Sequence, residues 1–173
     1  RASSNWSAIA AGGRKGSDSF RFVGADWKVT KDLTLQYYHS QLEDYYRQNF
    51  FGLLHVFQIA PNQTFKTDLR YFNSKSDGKN GSDVNYQYKN GYNAGGLGKV
   101  DNDTWSAAFI YTLGGNVFTL GHQRVSDSGG MAYVNNANVV DGRGRNEGEG
   151  GASIYLYTDL TINSFARAGE NTT

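Results

Sequence analysis

Apolar and polar positions alternate with a period of two along most of the chain, and no stretch carries an apolar stripe at helical spacing. Strands are therefore expected, and the clearest is 65–72. Phe65, Thr67, Leu69 and Tyr71 share one face there, and Lys66, Asp68 and Arg70 share the other. Residues 103–113 place Trp105, Ala107, Phe109, Tyr111 and Leu113 opposite the smaller Ser106, Ala108, Ile110 and Thr112. In 117–125, Phe118 and Leu120 oppose Thr119, Gly121 and Gln123. In 20–29, Val23, Ala25, Trp27 and Val29 oppose Gly24, Asp26 and Lys28. Residues 33–42 set Leu33, Leu35 and Tyr37 against Thr34, Gln36 and Tyr38. Segment 50–59 is apolar on both faces, with Phe51, Leu53, Phe57 and Ile59 assigned outward, and a weaker strand is expected at 5–11. The result is about seven strands, mostly longer than the ~5–6 residues usual in soluble sheets.

The connections sharpen this picture. Thr30–Asp32, Ala60–Gln63 and Gly114–Asn116 read as tight turns. They alternate with longer polar connections at 12–19, 43–49, 73–102 and from 126 onward. Short turns on one rim and long loops on the other are the signature of an antiparallel up-and-down transmembrane β-barrel. Trp27, Phe57, Phe65, Tyr111 and Phe118 gather near the short-turn ends, as an interfacial aromatic girdle would. A soluble β-sandwich binding module is the alternative, its aromatics filling a core between two sheets. Strand length and the alternation of connections weigh against it.

Composition removes several classes of chemistry. The 173 residues include no cysteine, so disulfides, thiolate metal sites and thiol catalysis are excluded. A net charge of +1 offers no field for nucleic acid. No apolar run approaches the ~18 residues of a membrane-spanning helix, which leaves a membrane barrel open. Glycine (22 residues) and aromatics (12 Tyr, 10 Phe, 3 Trp) are both abundant. His39, His55 and His122 lie in expected strands on outward or rim positions without a nucleophile motif. That disfavours an outer-membrane barrel hydrolase, and neither a metal nor another cofactor is expected. The chain opens at Arg1 with no leader, so it reads as an internal piece, one partial barrel domain over 1–173. Within it, 73–102 and 126–172 are expected to be long loops, extracellular or folded into the lumen.

Several segments, in order, carry a family resemblance. They are Gln41-Leu42-Glu43-Asp44-Tyr45-Tyr46-Arg47-Gln48, Arg70-Tyr71-Phe72 running to Asp77-Gly78-Lys79, and Asp103-Thr104-Trp105-Ser106. Gly115 to Val125, Gly150-Gly151-Ala152-Ser153-Ile154 and Ala168-Gly169-Glu170 follow. Over about 20–170 the chain resembles the OprD family of outer-membrane channels. The resemblance implies an eighteen-stranded monomeric barrel in the outer membrane of a Gram-negative bacterium, surrounded by lipid and lipopolysaccharide. It implies inward-folded loops, a ladder of basic residues, and passive uptake of small carboxylate-bearing molecules such as amino acids or aromatic acids. Seven strands are too few to close such a barrel.

A pore selects by what its wall offers a solute shedding part of its hydration shell. The polar face of 65–72 offers Lys66, Asp68 and Arg70, and 20–29 adds Asp26 and Lys28. Arg70 can grip a carboxylate bidentately, with Lys66 a point charge beside it. The other reading is that all five are wall residues pairing with one another, Arg70 less than the rest: its strand is the most regular and it lies toward the loop-side mouth, just before 73–102, which makes it the best placed cation for a substrate carboxylate. Asp26 stands where family members tend to carry a basic residue, which breaks a simple cationic ladder. In the long loop, Ala152 stands beside Ser153 where members that take basic amino acids carry Asp. Of the positions matching their acidic pocket (Asp159, Ile162 and Ser164) only Asp159 is acidic. The balance favours a carboxylate with an uncharged body.

Overall fold

The computed structural model describes residues 17, 19–88, 98–129, 132, 138–140, 145–147, 169 and 171–172. Six long strands run as successive antiparallel neighbours: β1 (Phe20–Lys28), β2 (Leu33–Leu42), β3 (Tyr46–Ala60), β4 (Gln63–Ser76), β5 (Asp101–Leu113) and β6 (Asn116–Val125). A small separate hairpin joins β7 (Asn138–Val140) to β8 (Arg145–Glu147), and β9 (Asn171–Thr172) extends the main sheet beside β6. The meander read from the sequence is thus the observed topology. The strand expected at 5–11 lies outside the described residues.

The tight turns follow from local chemistry. Thr30 Oγ1 accepts from the amides of Asp32 and Leu33 and closes the β1–β2 turn. Asn62 takes the left-handed conformation (φ 62°) in the two-residue connection Pro61-Asn62, and Asn tolerates it better than most residues.

Three boundaries differ from the sequence reading. Pairing continues through Tyr46↔Ser76, Gln48↔Ser74 and Asn49↔Asn73, so β3 and β4 both reach beyond the apolar stretches 50–59 and 65–72. The connection expected at 43–49 is instead a tight turn, Glu43 to Tyr45, with the Tyr45 amide donating to Leu42 O at 3.0 Å. The long excursion begins at 77 and ends at 100, rather than spanning 73–102. The cause is that polar residues on both faces hide a strand from hydrophobic alternation. Backbone groups pair regardless of what the side chains face.

Cross-strand register sorts every side chain onto one of two faces. One face carries the line Tyr37, Phe51, Tyr71, Trp105, and then Trp27, Leu35, Leu53, Leu69. Next come Leu33, His55, Thr67, Phe109, Leu120, and finally Phe57, Phe65, Tyr111, Phe118. Trp27 is 65% exposed and Leu120 61%, with no second sheet over them among the described residues, which removes the sandwich alternative. Charges on this face occur only toward the loop end, at Arg21, Arg47, Lys75, Asp101, Asp103 and Arg124. Eight residues separate Phe51 from Ile59 along β3, about 27 Å at ~3.4 Å per residue. Tilted as barrel strands are, that length gives an apolar band close to the ~25 Å of a barrel in lipid. The sequence anticipated the lower aromatic row and missed the upper one, Tyr37 to Trp105.

Candidate functional site

The opposite face is polar, and its charged positions on the six long strands are Asp26, Lys28, Lys66, Asp68 and Arg70. Register aligns Asp26, Gln36, Gly52, Arg70 and Ser106 in one row and Lys28, Thr34, Leu54, Asp68 and Ala108 in the next. Lys66 lies one row nearer the short turns, between Val56 and Ile110.

These charges are not equivalent. Arg70 spends its fork on its neighbour two residues away: Nε donates to Asp68 Oδ1 and Nη2 to Oδ2, both at 3.0 Å. Asp68 is buried and Arg70 partly so. Because β4 runs on to Ser76, Arg70 sits within the wall and not at the loop-side mouth expected from the sequence. Asp26 is held by Gln36 Nε2 at 3.0 Å and Tyr38 OH at 2.9 Å, both donating to Oδ1. Among the described residues, Lys28 and Lys66 have no ion-pair partner. The three histidines share the apolar face, away from all five charges. Ser153 and Asp159 lie outside the described residues.

Toward the loops, the polar face is covered. Ser74, Asn102, Thr104 and Ser106 are buried on it, although an open sheet would expose them. Gln48 Nε2 donates to Ala132 O at 2.7 Å, and Asn102 Nδ2 to Gly129 O at 2.7 Å. These two amides pin the segment after β6 onto the wall. Gln48 ends the Gln41–Gln48 segment of the family resemblance without a role attached to it, and Asn102 carries no motif at all. Beside this segment, Leu42, Tyr45, Tyr46, Tyr88, Val100 and Ala132 form a small core at the mouth. Asn80 closes the excursion over it. Its Nδ2 donates to Tyr86 O and Gly98 O, and its Oδ1 accepts from the Val100 amide. Lys79 Nζ reaches Asp44 Oδ2 at 3.0 Å and lies over the Tyr86 ring. Tyrosines thus supply the apolar surface that the Gly- and Asn-rich loop lacks.

This mouth has a pH signature. Burial pushes the Tyr45 hydroxyl up to about 12, with the Tyr86 and Asp44 charges adding to the effect. The hydrogen bond to Asp44 raises Lys79 above the ordinary lysine value, with Tyr86 contributing. Both groups hold their protons more tightly folded than unfolded, so their contribution is complete below about 10. It is lost as pH rises through the folded values. Limited proteolysis across pH 9–12 should show the 77–100 excursion opening above pH 10, together with tyrosinate absorbance. Protection that persists unchanged to pH 12 would contradict this.

The described geometry is a meander with a lipid-suited face, a charged opposite face and loops folded over the latter. The family model for outer membrane porins of the OprD family matches residues 1–173. The chain belongs to the OprD family. It is 29% identical over 150 residues to Porin D of Pseudomonas aeruginosa, a match covering 86% of this chain and 29% of that protein. It is 34% identical over 122 residues to the porin-like protein GalP of Pseudomonas putida, covering 70% of this chain and 26% of that protein. Among solved structures, Pseudomonas aeruginosa OccK8 (OprE) superimposes with a TM-score of 0.71 at 41% identity, over 90% of this chain and 37% of that one. Pseudomonas aeruginosa OpdQ gives 0.66 at 29%, over 91% and 34%. The chain therefore spans about three-tenths of the length of the curated relatives it matches. Family members are outer-membrane porins and not enzymes, which sets aside the hydrolase alternative.

Proposed function

We propose that this chain forms part of the wall of a passive outer-membrane channel for small carboxylate-bearing solutes, amino acids or organic and aromatic acids, acting as a monomeric closed barrel. The observation that carries the reading is the state of the wall cations. Of the three, Lys28 and Lys66 have no carboxylate partner among the described residues, whereas Arg70 is occupied by Asp68. An ammonium on a strand wall, bound to no carboxylate, attracts an anion losing water in a narrow passage. Lys66 is the better of the two, since Val56 and Ile110 flank it and reduce its hydration. Three cations against two carboxylates leave this wall at +1, a mild bias toward anions. Ser153 and Asp159 belong to the proposal as further contacts, Asp159 being the acidic one of the three positions that match the family's acidic pocket.

The test is current recording on the complete protein in planar bilayers. Lys66→Gln should weaken block by a carboxylate solute several-fold and shift selectivity away from anions, while a neutral sugar passes as before. Unaltered block in both Lys66→Gln and Lys28→Gln would overturn the role given to these cations.

A further inference from the structure

Two glycines on the inner face shape the wall beside Asp26. Gly24 on β1 is paired with Tyr38 on β2, and Gly52 on β3 is paired with Gln36. A Cβ at Gly24 would come within 2.3 Å of Tyr38 Cδ1 and 2.5 Å of its Cγ. The base of the ring therefore occupies the place a side chain at 24 would take. A Cβ at Gly52 would meet Gln36 Oε1 at 2.6 Å and Gln36 Cβ at 3.1 Å. Gln36 thus lies over Gly52 as Tyr38 lies over Gly24.

Side chains on a sheet ordinarily stand roughly perpendicular to it. Both of these lie along the wall instead, and both end on the same atom. Tyr38 OH and Gln36 Nε2 donate to Asp26 Oδ1 at 2.9 and 3.0 Å. Phe50 then packs beside the ring at 6.1 Å between centroids. The glycines supply room to lie flat, and the carboxylate supplies a reason to stay there.

We infer that Asp26 is a positioning residue that sets the bore of the channel at this level by holding Tyr38 and Gln36 against the wall. This rests on the channel reading proposed above. A released tyrosine would stand into the lumen by about half the ~10 Å spacing of packed sheets, roughly 5 Å. Asp26 therefore governs which solute sizes pass, and does not itself capture a substrate amine.

The experiment is single-channel recording of the complete protein, with potassium chloride and a neutral trisaccharide as probes of bore. Asp26→Ala should lower conductance on the order of twofold and slow the trisaccharide more than the ions, because pore radius governs large solutes most steeply. Asp26→Asn keeps an acceptor oxygen for both donors and should pass the trisaccharide as wild type does, its lost charge changing ion selectivity alone. The Asp26→Ala, Tyr38→Ala double variant should regain wild-type conductance or exceed it, since no ring remains to swing inward. A purely electrostatic role predicts the reverse: unchanged passage of the neutral trisaccharide in Asp26→Ala, and no recovery in the double variant. Either of those results overturns the inference. Should Asp26→Ala fail to assemble, Tyr38→Phe removes the tether alone, and unchanged trisaccharide passage through it would overturn the inference equally. A wild-type protein that forms no channels would overturn the channel reading itself, whereas a conducting wild type with indifferent variants overturns only this role of Asp26.

Discussion

Replacing Leu69 with Arg is expected to destabilise the barrel by about 2–4 kcal/mol, the cost of a cation at the middle of a lipid-facing wall. Leu69 lies in the row Trp27, Leu35, Leu53 and Leu69, between the two aromatic rows of the apolar face and next to the upper one. A guanidinium there must snorkel past Tyr71 or Phe65 to reach water, or draw water into the band. The control is Thr119→Arg, on the opposite face beside Ile110. That position faces the lumen, so the same charge should change stability little. Denaturant unfolding of the complete protein from lipid vesicles measures both. Equal costs at the two positions would mean that the faces have been assigned wrongly.

The second large effect concerns Arg70. Arg70→Gln should lower stability by about 2–3 kcal/mol, because it removes two charged hydrogen bonds from the buried Asp68 carboxylate. Adding Asp68→Asn to it should recover most of the loss, since a neutral pair buries no charge. Denaturation of the two variants checks this, and bilayer recordings separate it from function. Carboxylate block should fall less in Arg70→Gln than in Lys66→Gln. A stable Arg70→Gln channel that has lost its carboxylate block would instead make Arg70 the ligand clamp, with Asp68 its orienting partner.

The faces of the sheet were legible in the sequence, and the reason is local. Successive side chains on a strand point to opposite sides, so Lys66, Asp68 and Arg70 had to share one face and Leu69 and Tyr71 the other. The short turns were legible too, since Pro61-Asn62 and Gly114-Gly115 carry their own backbone preferences. So were the five inner charges, because one residue of slip would have moved them into lipid.

Tertiary structure decided the rest. Residues 46–49 and 73–76 became strand because backbone groups of β3 and β4 pair above the apolar band, where side-chain polarity says nothing. Whether Arg70 met a solute or Asp68 depended on a rotamer, and alternation leaves rotamers open. The flat placement of Tyr38 needed Gly24 opposite it and Asp26 two residues further along the same strand. The sequence separates Gly24 and Tyr38 by fourteen positions, and only cross-strand register brings them together. Likewise Gln48 finds Ala132 and Asn102 finds Gly129 across distances in sequence that no local pattern spans. The character of the wall is a matter of period two, and the shape of the passage is a matter of which side chains become neighbours when the strands pair.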